Sequence, residues 1–176
     1  MGKRSPGFER RPQDFYRTPW EAVRPLLPHL PSRCSFVEPC AGDGALVDHL
    51  KSVGHICVGA CDIEPKRGDI TRGSAFAVKW RAKNGLFITN PPWTREVMHP
   101  MIKHLCRQTP AWCLFDADWA HTVQSAALYP YLRKIVSVGR VQWIEGTGMS
   151  GKDNAAWYLF DGTRPQSFVE FHGRVG

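Results

Sequence analysis

The sequence predicts an α/β fold: a doubly wound, mostly parallel sheet covered by helices, with an antiparallel carboxyl-terminal edge strand. Three observations carry this. Short apolar runs at 36–37, 55–60, 85–89 and 111–115 alternate with stretches of helical periodicity. The first run leads directly into a glycine turn, Pro39-Cys40-Ala41-Gly42-Asp43-Gly44, and then into an apolar helix face of Ala45, Leu46, Val47 and Leu50. The last clear run, 155–160, follows a Gly-rich connection at 146–152, which is the pattern of a hairpin return.

A chain of 176 residues suits one domain with a real core. Residues 1–13 are polar, basic and rich in Gly and Pro, and predict a flexible tail; 14–176 form the single domain, with no repeat and no second boundary. The tail carries Lys3, Arg4, Arg10 and Arg11, which suit either phosphates or plain solubility. Net charge is +7 and the pI is about 9.3, with most of the positive excess before Ile88. That balance fits a solvated basic surface or a polyanionic partner, most simply nucleic acid.

Six cysteines are present without a Cys-x-x-Cys pair, so reduced thiols packed in a core are expected and no metal site is. No secretory signal and no run of 18 apolar residues is present, which points to the cytoplasm and away from membranes.

Taken in order, Thr18 can cap a helix with Pro19 at its first position, and Trp20, Val23, Leu26 and Leu27 give it an apolar face up to Pro28 or Pro31. Phe36-Val37 is a buried strand. In the turn after it, Gly42 and Gly44 allow tight backbone and close ligand approach. The spacing is not Gly-x-Gly-x-x-Gly, and no Gly-Lys-Ser/Thr phosphate loop exists. Glu38 and Asp43 would repel a pyrophosphate and suit an ammonium group, which favours S-adenosylmethionine over NAD or ATP. The second strand ends near Asp62, a carboxylate placed to accept ribose hydroxyls, with Glu64 as competitor. Asp69 suits an adenine amino group or an ordinary Asx turn. Residues 70–80 predict an edge strand or a packed loop.

Strand 85–89 runs into Asn90-Pro91-Pro92-Trp93. Prolines stop a strand because they lack amide donors and restrict the backbone. A carboxamide is thereby held at the ligand-binding edge of the sheet, with an indole three residues on; the first can accept from an amine, the second can stack on a planar group. Val97, Met101, Ile102 and Leu105 mark a helix, with Pro100 disturbing or delaying its first turn. After strand 111–115, Val123, Ala126, Ala127 and Leu128 predict another helix, and 134–138 with 141–144 a strand bent near Gly139.

Glu38 to Gly44, Asp62 and Asn90-Pro91-Pro92-Trp93 together resemble the class I S-adenosylmethionine-dependent methyltransferases, a Rossmann-like fold with a seven-stranded type of sheet. More narrowly they look like amino-methylating DNA adenine methyltransferases, with small phage-encoded enzymes of relaxed or unknown sequence preference as the nearest match. The Tyr16–Trp20 stretch, 16–20, resembles the Thr-Pro segment of that group. The resemblance implies S-adenosyl-L-methionine as cofactor, with contacts from Thr18, Glu38, Ala41, Gly42 and Asp62. Tyr16, Pro19, Pro39, Gly44, Ile63 and Asn90 would border it, and Asp69 would meet its adenine. It implies that Asn90 and the Pro91 carbonyl, in the Asn90-Pro91-Pro92-Trp93 motif, accept from the N6 amine of an extruded adenine, and that Trp93 stacks on the base. DNA is the first expected partner and RNA the second; the chain acts as monomer or homodimer. An RNA adenine methyltransferase, a protein-glutamine methyltransferase and an inactive binding subunit remain alternatives. No separate target-recognition domain is visible, so Arg10, Arg11, Arg95, Arg140 and Lys152 are placed as candidate nucleic-acid contacts.

Overall fold

The computed structural model describes residues 17–143, 153–165 and 168–174. Its centre is an eight-stranded sheet, ordered β3-β2-β1-β4-β5-β7-β6-β8. The strands are β1 (Ser35–Glu38), β2 (Ile56–Asp62), β3 (Thr71–Arg72), β4 (Gly85–Thr89), β5 (Ala111–Asp116), β6 (Leu132–Arg140), β7 (Asn154–Phe160) and β8 (Glu170–His172). All neighbours are parallel except those of β7, which runs antiparallel to both β5 and β6. The expected mostly parallel α/β sheet with an antiparallel carboxyl-terminal strand is thus present, but that strand, β7, is not the edge strand. β7 inserts between β5 and β6, and the short β8, which its sequence does not announce, lies outermost.

Alternation along each strand sorts side chains into two cores. Phe36, Ile88, Trp112, Leu114 and Trp157 pack on one face with Leu26, Leu46 and Leu50. Val37, Phe87, Cys113, Phe115, Tyr158 and Phe160 pack on the other with Met98, Ile102, Leu105 and Trp119. The first face is covered by α1 (Trp20–Val23), its 3₁₀ continuation Arg24–His29, and α2 (Ala45–Ser52); the second by α3 (Arg95–Cys106) and two 3₁₀ segments, Ala117–His121 and Val123–Tyr131. β5 is buried on both faces, which is why 111–115 reads as continuous rather than alternating. Phe115 stacks on Tyr158 with ring centroids 4.3 Å apart.

Several local expectations are corrected. Thr18 does not cap α1; Pro19 occupies that position, and the Thr18 hydroxyl is turned inward. Pro100 does not delay α3, which starts at Arg95; it sits on an exposed part of the helix, where the carbonyl left without a partner can meet water. The segment after β5 is 3₁₀ rather than α, with Pro130 inside it. A register shift in β6 falls between Ser137 and Gly139, with Gly139 at φ 89°, but the strand ends at Arg140 and residues 141–143 do not continue it. Residues 70–80 contain both β3 and a 3₁₀ turn, Ala75–Ala77. The predicted tail 1–13, Tyr16, Arg10, Arg11, the 146–152 connection and Lys152 lie outside the described residues. No described helix is long and apolar enough to cross a membrane.

Candidate active site

The carboxyl ends of β1, β2 and β4 frame a cavity of ≈ 410 Å³, within the size range of small-molecule sites. Because the strands are parallel, Glu38, Asp62 and Asn90 reach the same edge of the sheet from three distant parts of the chain.

The glycine turn is stitched to the end of β2. Ala41 N donates to Cys61 O at 2.9 Å, Lys66 N to Gly42 O at 2.9 Å, and Gly42 N to Asp62 Oδ2 at 2.8 Å. Gly42 and Gly44 have φ of 53° and 81°, the left-handed region that favours glycine. Asp62 Oδ1 also accepts from Glu64 N at 2.8 Å. Each Asp62 oxygen therefore already holds a loop amide, so this carboxylate organises the rim, with its remaining lone pairs free for a ligand.

Glu38 is the most deeply buried acid lining the cavity. Only 1 % exposed, it takes one bond on Oε1 from Cys40 N at 3.2 Å. Its Oε2 and the hydroxyl of Thr89 have no hydrogen-bond partner among the described residues. Burial pushes the Glu38 carboxyl up to about 8, with the negative charge of Asp62 adding to the shift and the nearby Thr89 and Cys40 groups opposing it. Glu38 lines the cavity, and a buried carboxyl oxygen without a partner is costly unless something binds it.

Asn90 is held from two sides. Its Nδ2 donates to Thr18 Oγ1 at 3.1 Å, and its Oδ1 accepts from Trp93 Nε1 at 3.2 Å. Trp93 meets Trp143 edge to face at 5.6 Å.

Of the residues expected at the site, Thr18, Glu38, Pro39, Ala41, Gly42, Asp62, Ile63, Asn90 and Pro92 line the cavity. Pro19, Gly44, Pro91, Trp93 and Asp69 are not among its lining residues. Asp69 is instead drawn into an exposed ion-pair network: Arg67 Nε donates to it at 2.5 Å and Arg67 Nη1 to Asp48 at 2.6 Å. That pairing holds the Asp69 carboxyl below its usual range. Gly44 lies under the same guanidinium, which a Cβ there would approach to 2.5 Å. Arg95 and Arg140 are exposed at the same edge of the sheet, at the start of α3 and the end of β6.

Sequence reasoning missed Ser74, Phe76, Val97 and Met101, which complete the cavity wall. Phe76 is 43 % exposed, and Ser74 Oγ caps its turn by accepting from Phe76 N at 3.2 Å. The available signal was an aromatic in a run too irregular to be a strand, preceded by a capping serine.

No family model matches the sequence, and no curated protein matches it. Solved structures do match in fold. A proposed RNA methyltransferase from Pyrococcus horikoshii aligns with TM-score 0.56 and 14 % identity over 83 % of this chain and 85 % of its own. The 23S rRNA methyltransferase ErmE aligns with TM-score 0.56 and 14 % identity over 88 % of this chain and 72 % of its own. A modification subunit of a proposed type I restriction enzyme from Vibrio vulnificus aligns with TM-score 0.60 and 11 % identity, over 90 % of this chain but 47 % of its own. The chain therefore has a Rossmann-like methyltransferase fold.

Proposed function

We propose that the protein transfers a methyl group from S-adenosyl-L-methionine to the exocyclic N6 amine of adenine in nucleic acid, with DNA as the first substrate to test. The observation that carries this is the pairing, in one cavity, of a buried acid with an unpartnered oxygen and a carboxamide held at the end of β4. Glu38 Oε2 fits the ammonium group of the cofactor, and the rim of Asp62 and Glu64 fits its ribose hydroxyls. Phe76 offers a face for its adenine, the place assigned to Asp69 on sequence grounds. When bound, the cofactor supplies an electrophilic methyl group on a positive sulfur.

The chain's own work is orientation and charge stabilisation. The adenine amine is a poor nucleophile, because its lone pair is delocalised into the ring. Hydrogen bonds accepted by Asn90 Oδ1 and the Pro91 carbonyl would localise that lone pair and stabilise the positive charge developing on nitrogen. Asn90 Oδ1 has a second lone pair besides the one engaged by Trp93, so both contacts are compatible. A cysteine nucleophile has no part in this: Cys40 lines the cavity, but burial pushes its thiol well above the ordinary range.

RNA is the second reading, favoured by fold neighbours named for RNA methylation, beside a restriction-modification subunit. Tritiated methyl transfer to DNA, RNA and protein fractions, followed by nucleoside mass analysis, tests the proposal. N6-methyladenine in DNA is the expected product. Label only in RNA would assign the second reading, label in glutamine would assign a protein substrate, and cofactor binding without transfer would reduce the chain to a binding subunit.

A further inference from the structure

The positive charge that dominates the sequence does not line the candidate active site. Glu38, Asp43, Asp62 and Glu64 face that cavity against one lysine, Lys66. A second cleft, of ≈ 650 Å³, opens at the other end of the parallel strands, where β1 and β4 begin and the chain leaves β7. Its charged lining residues are Arg33, Arg81, Lys83 and Arg164, and neither Asp nor Glu lines it. The two ends of one sheet thus carry cavities of opposite sign.

The basic cleft has a built wall. Arg81 and Lys83 sit on the turn before β4, and two side chains from the segment that follows α3 tie that turn down. Gln108 Oε1 accepts from Trp80 N at 2.9 Å, and the buried Thr109 hydroxyl donates to Gly85 O at 2.9 Å. The Trp80 ring closes over Gly85 so tightly that a Cβ there would lie 2.3 Å from it. Among the described residues, Arg33, Arg81 and Lys83 form no ion pair. Arg164 alone has one, with Asp161 at 3.6 Å, and Asp161 is already engaged by the amide and hydroxyl of Thr163. Cations brought together from three chain segments without carboxylates raise the local potential, and an anion entering the cleft relieves it.

We propose that this cleft binds a phosphate group, as a free phosphate anion or as the phosphodiester of a nucleic-acid strand. Guanidinium forks match phosphate oxygens in pairs, and Lys83 adds a point charge. The inference rests on charge and geometry alone and does not depend on the methyl-transfer reading. A strand held here would be anchored about 15 Å from the candidate active site, roughly the length of β4.

The test uses the full chain with two probes, inorganic pyrophosphate and a short oligothymidylate. Thymine has no exocyclic amine, so the second probe cannot bind as a methyl acceptor. Affinities are compared for the wild type, Arg81→Glu/Lys83→Glu and the milder Arg81→Gln/Lys83→Gln, with melting curves to show that each folds. Charge reversal is expected to weaken oligothymidylate binding about tenfold or more and to flatten its salt dependence by roughly one to two units in the log–log slope. Loss of pyrophosphate binding alone would assign the cleft to small phosphates. The proposal is overturned if neither probe responds to either pair of substitutions, whether or not oligothymidylate responds to Arg95→Glu and Arg140→Glu at the opposite edge.

Discussion

The indole N–H of Trp93 points at Asn90 Oδ1 across 3.2 Å, and this contact settles which way round the Asn90 carboxamide lies. An indole nitrogen only donates, so the oxygen must face it and the amide nitrogen must face Thr18 Oγ1. Trp93 is therefore a positioning residue for Asn90, whatever stacking role it also has. Two substitutions separate these functions. Trp93→Phe keeps an aromatic face but removes the donor. It should lower kcat by about three- to tenfold, the worth of one hydrogen bond, with a smaller change in KM. Trp93→Ala removes both and should raise KM for nucleic acid as well. Steady-state kinetics on the substrate identified by methyl labelling would read both; equal effects of Phe and Ala on KM would remove the stacking role.

Asn90→Ala should cost on the order of a hundredfold or more in methyl transfer, as for loss of an oriented acceptor at a reacting centre. Cofactor affinity, measured separately by calorimetry, should change by no more than a few-fold. Thr18→Val tests the other side of the clamp: it leaves Asn90 Nδ2 without its acceptor and should reduce kcat without abolishing it. If Asn90→Ala lost cofactor binding and melted early, the residue would be a structural cap rather than a participant.

Much of this site is legible in the sequence because parallel topology makes it so. Once Phe36-Val37, 55–60 and 85–89 are read as neighbouring parallel strands, the residues just after them must meet at one edge, which places Glu38, Asp62 and Asn90 together. Partner choice within that edge is not legible. Nothing in the order of residues says that Arg67 takes Asp69 away from the cavity, because that ion pair depends on where two loops cross. Phe76 was hidden for a similar reason: a three-residue 3₁₀ turn has no periodicity to detect. β8 escaped notice because its three residues are mostly exposed and alternate only once.

The Arg67 guanidinium packed over Gly44 predicts a measurable coupling. Gly44→Ala should destabilise by about 1–2 kcal/mol, from the left-handed φ of 81° and from displacement of the guanidinium. In an Arg67→Ala background the same change should cost less, because only the backbone part remains. A double-mutant cycle by urea denaturation reads the difference. Strict additivity would show that Arg67 moves aside freely.

Phe76→Ala should weaken cofactor binding by roughly three- to thirtyfold, in line with loss of an aromatic stacking partner. Asp69→Asn should leave it within about twofold, since that carboxylate is paired outside the cavity with Arg67. The reverse ranking, measured by calorimetry, would return the adenine contact to Asp69.

Glu38 gives the free protein a pH dependence whose sign can be worked out. Its carboxyl titrates at about 8 when folded, against an ordinary value of 4.5. Between these values the native state holds a proton that the unfolded chain has lost, so folding stability falls as pH rises from about 4.5 to about 8. Glu38→Gln carries no titrating group there and should flatten that slope in melting curves. The same group should couple to the ligand. An ammonium placed against Oε2 favours the ionised carboxylate, so cofactor binding below about pH 8 should release a proton and tighten as pH rises toward that value. Calorimetry in buffers of different ionisation enthalpy would detect the proton. In Glu38→Gln both the release and most of the affinity should disappear. An unchanged proton count in that variant would place the ammonium elsewhere and remove Glu38 from the binding role.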